Sequence, residues 1–140
     1  MKFDGLEAYT RNEEAETGKG VELRFPNDIV IIVHRAGGSN KQYERSKGRF
    51  SKPHLRQIQA GTASEADLED MLMKVYADSV VIGWRGVLSG GEAVEFSKSN
   101  VLDMFRSFPD LFWAVKESCE DAANFRETEL ASEAEQLGNG

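Results

Sequence analysis

The stretch Leu68-Glu69-Asp70-Met71-Leu72-Met73-Lys74-Val75-Tyr76-Ala77-Asp78-Ser79-Val80-Val81-Ile82, followed by Gly83-Trp84-Arg85-Gly86-Val87, decides the fold. Leu68, Met71, Leu72, Val75, Tyr76 and Ser79 recur at three- and four-residue spacing, which places them on one stripe of an α-helix. The pattern predicts a helix that runs on through Val80, Val81 and Ile82 until Gly83 stops it. In front of it, Thr62-Ala63-Ser64-Glu65 fits a capping box, with the threonine hydroxyl and the glutamate exchanging bonds with orphan amides.

Outward from that helix towards the C-terminus, Trp84 to Phe96 contains Gly86, Gly90 and Gly91 and reads as a connection with a short extended pair. Ser97 is placed to cap a helix over Lys98 to Ser107, with Val101, Leu102 and Phe105 facing inward. Pro109 forces the preceding residue out of helical geometry and suits the first turn of a further helix. That helix buries Leu111, Phe112, Val115, Cys119 and Ala122, and Ala123-Asn124-Phe125 ends or bends it. Most of the large apolar side chains lie between Leu68 and Phe125, so the core is expected there.

Towards the N-terminus, Val21 to Phe25 alternates apolar and polar residues, Pro26-Asn27-Asp28 is turn chemistry, and Ile29 to Val33 is a dense β-branched run. These predict a β-hairpin. A lone hairpin is marginal in water, so it must pack on the helices or join a sheet across subunits. Ala36-Gly37-Gly38-Ser39-Asn40 breaks the strand, and Ser39 or Asn40 caps a helix through Tyr43 to Phe50. Lys52-Pro53 punctuates, and His54 to Ala60 forms a short second helix. Residues 1–20 are acidic around Asn12 to Glu16 and poor in apolar side chains, too poor to offset their ordering entropy. They read as an arm that is flexible or packs only on a partner. The expected architecture is mainly α (α+β): a single domain over residues 21–126, an N-terminal hairpin followed by about four to five helices, and an acidic, partly disordered tail over 127–140.

At 140 residues the chain is long enough for one real core. Its net charge of −7 argues against a dedicated nucleic-acid binder, whose footprint would be basic. Cys119 is the single cysteine, so no intrachain disulfide forms and a reducing compartment is the simpler reading. Met1-Lys2-Phe3-Asp4-Gly5 leads into polar sequence rather than an apolar signal, and the longest apolar run, Ile29 to Val33, is too short to span a bilayer. A cytoplasmic protein without membrane contact is expected.

The residues that could carry chemistry are few. His34 and His54 lie twenty apart with no cysteine or clustered carboxylate at ligand spacing, so no metal is expected. Cys119 falls on an apolar helix face and reads as an inert buried thiol. Glu69-Asp70 and Glu120-Asp121 are adjacent pairs whose side chains diverge on a helix. The turn Ala36 to Lys41 follows a strand and opens a helix, an arrangement that can cradle phosphate through backbone amides. It lacks the spacing of the P-loop and of the dinucleotide fingerprint, so a plain strand-to-helix turn is the expectation. No catalytic residue, enzyme activity or cofactor is assigned. Charge is segregated: Arg35, Lys41, Arg45, Lys47, Arg49, Lys52 and Arg56 stand against the single acid Glu44. Glu117, Glu120, Asp121, Glu127, Glu129, Glu133 and Glu135 stand against Arg126. That asymmetry supports head-to-tail self-association, with Arg45, Arg49 and Arg56 of one copy facing Glu129 and Glu133 of another; a solvated basic face is the blander reading.

The order of features resembles that of tail assembly chaperones of long-tailed phages. Arg35-Ala36-Gly37-Gly38-Ser39-Asn40 with Tyr43 is similar to a segment following a strand in that family. Val81-Ile82-Gly83-Trp84-Arg85-Gly86-Val87 with Val94-Glu95-Phe96-Ser97, then Phe108-Pro109-Asp110-Leu111-Phe112 and Ala123-Asn124-Phe125, resemble its later stretches. The likeness covers about residues 21–126. It implies a non-enzymatic, largely helical, self-associating factor that binds the tape measure protein and keeps it soluble in the host cytoplasm. It also implies help in recruiting tail tube protein, the existence of a frameshifted longer form, and absence from the mature virion. The chain is expected to correspond to the shorter, non-frameshifted form, without that extension and so without an assigned part in tube-subunit recruitment. Client-binding side chains are expected among Trp84, Phe108, Phe112 and Trp113, though Trp84, closing the main helix, also reads as structural. The alternatives are a head–tail or tail virion component, which would be found in purified particles, and a small nucleic-acid-binding phage protein acting through residues 35–56, whose binding would fall steeply with salt.

Overall fold

Alternation and turn chemistry produce the hairpin where they predict it. A computed structural model describes residues 1–126. Strands β1 (Val21–Phe25) and β2 (Ile29–Val33) pair antiparallel from Val21↔Val33 to Phe25↔Ile29. Asn27 and Asp28 take left-handed φ of 66° and 61° in the turn, a region these short polar side chains tolerate.

The main helix, α4 (Glu65–Ser79), stops three residues short of the predicted end. Val80, Val81 and Ile82 do not extend it: β3 (Val81–Arg85) is a strand, paired antiparallel with β2. β-branched residues prefer the pleated surface, and β2 offers an open edge that would otherwise leave its amides unpaired. The register runs Val30↔Arg85, Ile31↔Trp84 and Ile32↔Gly83, then shifts by a bulge at Ile82 to Val33↔Val81. The sheet is therefore β1-β2-β3. The third strand that the hairpin needs comes from its own chain. On one face Leu23, Ile31 and Trp84 lie in register; on the other Glu22 and Arg85 reach across β2 to make two bonds of 2.6 and 2.9 Å.

Helix α1 (Glu13–Thr17) precedes the sheet, and α2 (Lys41–Ser51) and α3 (Leu55–Ala60), joined by a 3₁₀ turn, precede α4. A two-residue ladder, β4 (Leu88–Ser89) with β5 (Glu92–Ala93), is the predicted extended pair. Helices α5 (Lys98–Ser107) and α6 (Pro109–Glu120) follow, and a 3₁₀ turn at Ala122–Phe125 closes the described chain. Among the described residues five helices thus follow the hairpin. Asn40 and Ser97 cap α2 and α5 as expected, accepting from Tyr43 N and Asn100 N. The cap of α4 is Ser64, which accepts from Asp67 N at 3.1 Å, so the capping threonine is displaced by two residues.

The helices close over the sheet through a string of edge-to-face rings. Tyr43 meets Tyr76 at 6.1 Å, Tyr76 meets Phe112 at 5.4 Å, and Phe112 meets Phe105 at 5.2 Å. Ile31, Val33, Val75, Val80, Val101, Val115, Cys119 and Phe125 fill the space around them without solvent exposure.

The N-terminal twenty residues are not a free arm throughout. Met1, Phe3, Leu6 and Tyr9 are exposed, but from Arg11 onward the segment docks on its own domain. Arg11 bridges Arg126, Asn12 caps α1, and Glu16 is 1% exposed. A carboxylate so buried requires a partner, and the partner lies at the end of β2.

Candidate apolar docking groove

The two ends of the sheet differ in chemistry. At the Val33 end, polar groups lock the chain. Glu16 accepts from Arg35 Nη1 at 2.9 Å and from Ser39 N at 2.7 Å. Asn40 donates to the carbonyls of Arg35 and Ser79 at 2.9 and 3.0 Å while its Oδ1 caps α2. Ala36 N donates to Cys119 O, which ties in the end of α6. Gly38 has φ +54°, and a Cβ there would stand 2.5 Å from both Arg35 Nη1 and Glu16 Oε1. In the glycine-rich turn the Ser39 amide is taken by the chain's own Glu16 carboxylate, as in a plain strand-to-helix turn and not a phosphate cradle. Burial alone would push the Glu16 carboxyl up; the Ser39 amide and the Arg35 guanidinium outweigh it and hold the group below the usual carboxylate range. Nothing local in the sequence marks Glu16, since its partners are nineteen and twenty-three residues away.

At the other end, beside the hairpin turn, lies an open groove of 730 Å³. The turn supplies Phe25, Pro26 and Ile29, the start of the β4–β5 ladder supplies Val87 and Leu88, and the α5–α6 corner supplies Met104, Phe108, Pro109 and Leu111. Phe108 is 63% exposed and Leu88 61%. The corner puts Phe108 outside because Pro109 starts α6 immediately after it: Phe108 has φ −132° and ψ 73°, non-helical on both sides. Gly86, at φ +80°, lets β3 pass close to the hairpin turn; a Cβ would meet Asp28 O at 2.3 Å.

The expected interface residues do not form one cluster. Phe108 lines the groove. Phe112 is a core residue and not an interface anchor: it is fully buried at the centre of the aromatic string, and a side chain without exposed surface meets no partner. Trp84 is structural: its ring stacks edge-on against Phe96 at 5.3 Å and its Nε1 donates to Val94 O at 3.0 Å. Trp113 is 44% exposed, with Nε1 donating to Glu69 Oε2 at 2.8 Å and Lys116 over its ring. It lines a second cleft of 580 Å³ with Asp110, Ala114, Lys116, Glu117 and Glu120. Asp110 borders both clefts, so Phe108 and Trp113 lie along one surface.

The basic run is also divided. Arg35 is turned inward to Glu16, and Arg49 reaches Asp78 at 3.2 Å. Arg45 and Arg56 are exposed and make no ion pair among the described residues. Glu129 and Glu133 lie outside the described residues.

Among the described residues no three His, Cys, Asp or Glu side chains stand together as a metal site, and no helix is long and apolar enough to cross a membrane. Burial, with Glu120 nearby, pushes the Cys119 thiol well up, away from the thiolate a nucleophile requires.

The model of the YdaY prophage protein family matches residues 38–136. The chain belongs to that family. No curated protein and no solved structure matches it. Family membership makes this a phage-derived protein, which is the coarser part of what the motif resemblance implied. The matched range opens inside the Gly37-Gly38 turn, so the family segment includes α2 through α6, Val87 to Leu111 of the groove, and Trp113. The hairpin wall of the groove precedes it.

Proposed function

We propose that this prophage protein is a tail assembly chaperone: a non-enzymatic factor that holds the tape measure protein, an amphipathic helical client, soluble in the host cytoplasm while the tail tube assembles, and is left out of the finished particle. The observation that carries the reading is the apolar groove between the hairpin turn and the α5–α6 corner. A monomeric domain gains nothing by leaving Phe108 and Leu88 in water, and an apolar concavity of this kind suits a partner's apolar face. Its walls are side chains from a turn and a helix corner rather than a free strand edge, which favours a helix laid in a groove over an added strand. Full burial of each such side chain is worth about 1.5–3 kcal/mol before association costs, so one site binds weakly. Many copies along one long client, supported by self-association through Arg45 and Arg56, raise the avidity.

Co-expression with the tape measure protein tests this. A soluble complex with several copies per client is expected, and Phe108→Ser should return the client to the pellet while leaving this protein folded. A client that stays insoluble beside wild-type protein, with this chain present in purified particles, would replace the reading with that of a virion component.

A further inference from the structure

The charges bordering the groove are unbalanced. Of the charged side chains lining the groove and the adjoining Trp113 cleft among the described residues, the one cation, Lys116, is in an ion pair with Glu120. Asp110 and Glu117 make no ion pair among the described residues. Asp110 sits between the two clefts, with the exposed ring of Phe108 on one side and that of Trp113 on the other. Its place in the first turn of α6 is favourable to the helix dipole, but Glu117, in the last turns, gains nothing of that kind. The common feature of the two acids is the surface they face.

We propose that this surface selects a helix whose apolar face is bordered by lysine or arginine, and that Asp110 and Glu117 are the residues that read that charge. The inference rests on the groove being the client site and adds the chemistry of the client. Apolar side chains at helical spacing enter the groove at Phe108; a flanking cation is held at Asp110; a further apolar or cationic group reaches Trp113 and Glu117. Exposed pairs of this sort add little affinity each but set orientation and exclude partners bearing acids at the same positions.

The test uses two labelled synthetic helices with the same apolar face, one flanked by lysines and one by glutamates, titrated against the full chain by fluorescence anisotropy. The lysine peptide should bind about five-fold more tightly at low salt, the preference shrinking as ionic strength rises. Asp110→Asn and Glu117→Gln should each reduce it, and Phe108→Ser should abolish binding of both peptides. Glu117→Gln lies away from the start of α6 and keeps the test valid if Asp110→Asn unsettles that helix. Equal binding of the two peptides, blocked by Phe108→Ser, would overturn the charge reading and leave the groove standing. Absence of binding by either would overturn both. Displacement of the lysine peptide by a peptide of residues 1–10, which carries the exposed Phe3, Leu6 and Tyr9, would assign the groove to a second copy of this chain instead.

Discussion

Glu16 shows how one side chain can tie distant parts of a chain together. Removing it leaves the Arg35 guanidinium, only 18% exposed, without its partner, and breaking a buried pair in this way costs about 3–5 kcal/mol. Glu16→Ala should lower the melting temperature accordingly. Because the folded carboxyl titrates below its ordinary 4.5, its contribution is fully present above that pH and is lost as pH falls through the lower folded value. Wild-type stability should therefore fall on the acid side of pH 4.5, and Glu16→Gln should flatten that limb in denaturant titrations at stepped pH. Asn40 allows a finer separation. Aspartate caps a helix as well as asparagine does, but it cannot donate to the carbonyls of Arg35 and Ser79. Asn40→Asp should cost about 2–3 kcal/mol by urea unfolding if the donors matter, and almost nothing if only the cap does. The sequence discloses the cap, because capping is local, and hides the donors and Glu16, because their partners are brought in by the fold.

Elements set by local pattern were legible: both hairpin strands, the helices at Lys98 and Pro109, and the glycine-rich β4–β5 turn. β3 was not. Val75, Ser79 and Ile82 continue a helical stripe, and a β-branched run fits either period, so the decision passes to β2, whose open edge is invisible from residues 68–85. The exposed corner at Phe108 was legible through Pro109, whereas the hairpin wall facing it depends on tertiary packing. Gly86 joins these elements. Gly86→Ala forces a left-handed φ on a side chain and drives its Cβ into Asp28 O, so the hairpin turn or the start of β4 must move. Gly90 also has a positive φ, 58°, but open space around it. Gly90→Ala should cost about 1 kcal/mol and Gly86→Ala clearly more, with peptide binding in the groove weakened only by the latter; parallel thermal melts and titrations decide it.

At the scale of the molecule, the proposed self-association would draw on the exposed basic side chains of α2 and α3. Arg49 is committed to Asp78, so Arg45 and Arg56 remain for that contact. Arg45→Glu should lower the assembly mass in light scattering at low salt, as should raising the salt with the wild type; unchanged mass in both would remove self-association from the account. The sheet gives the molecule a direction. Its hairpin turn marks the groove end, its Val33 end holds the Glu16 cluster, and α6 runs about 18 Å from the one to the other. Arg126 leaves beside Arg11 at the Glu16 end. A biotin on a cysteine introduced at the exposed Arg11 would thus sit behind the domain. Copies anchored through it to a sensor surface would all point the groove at the solution.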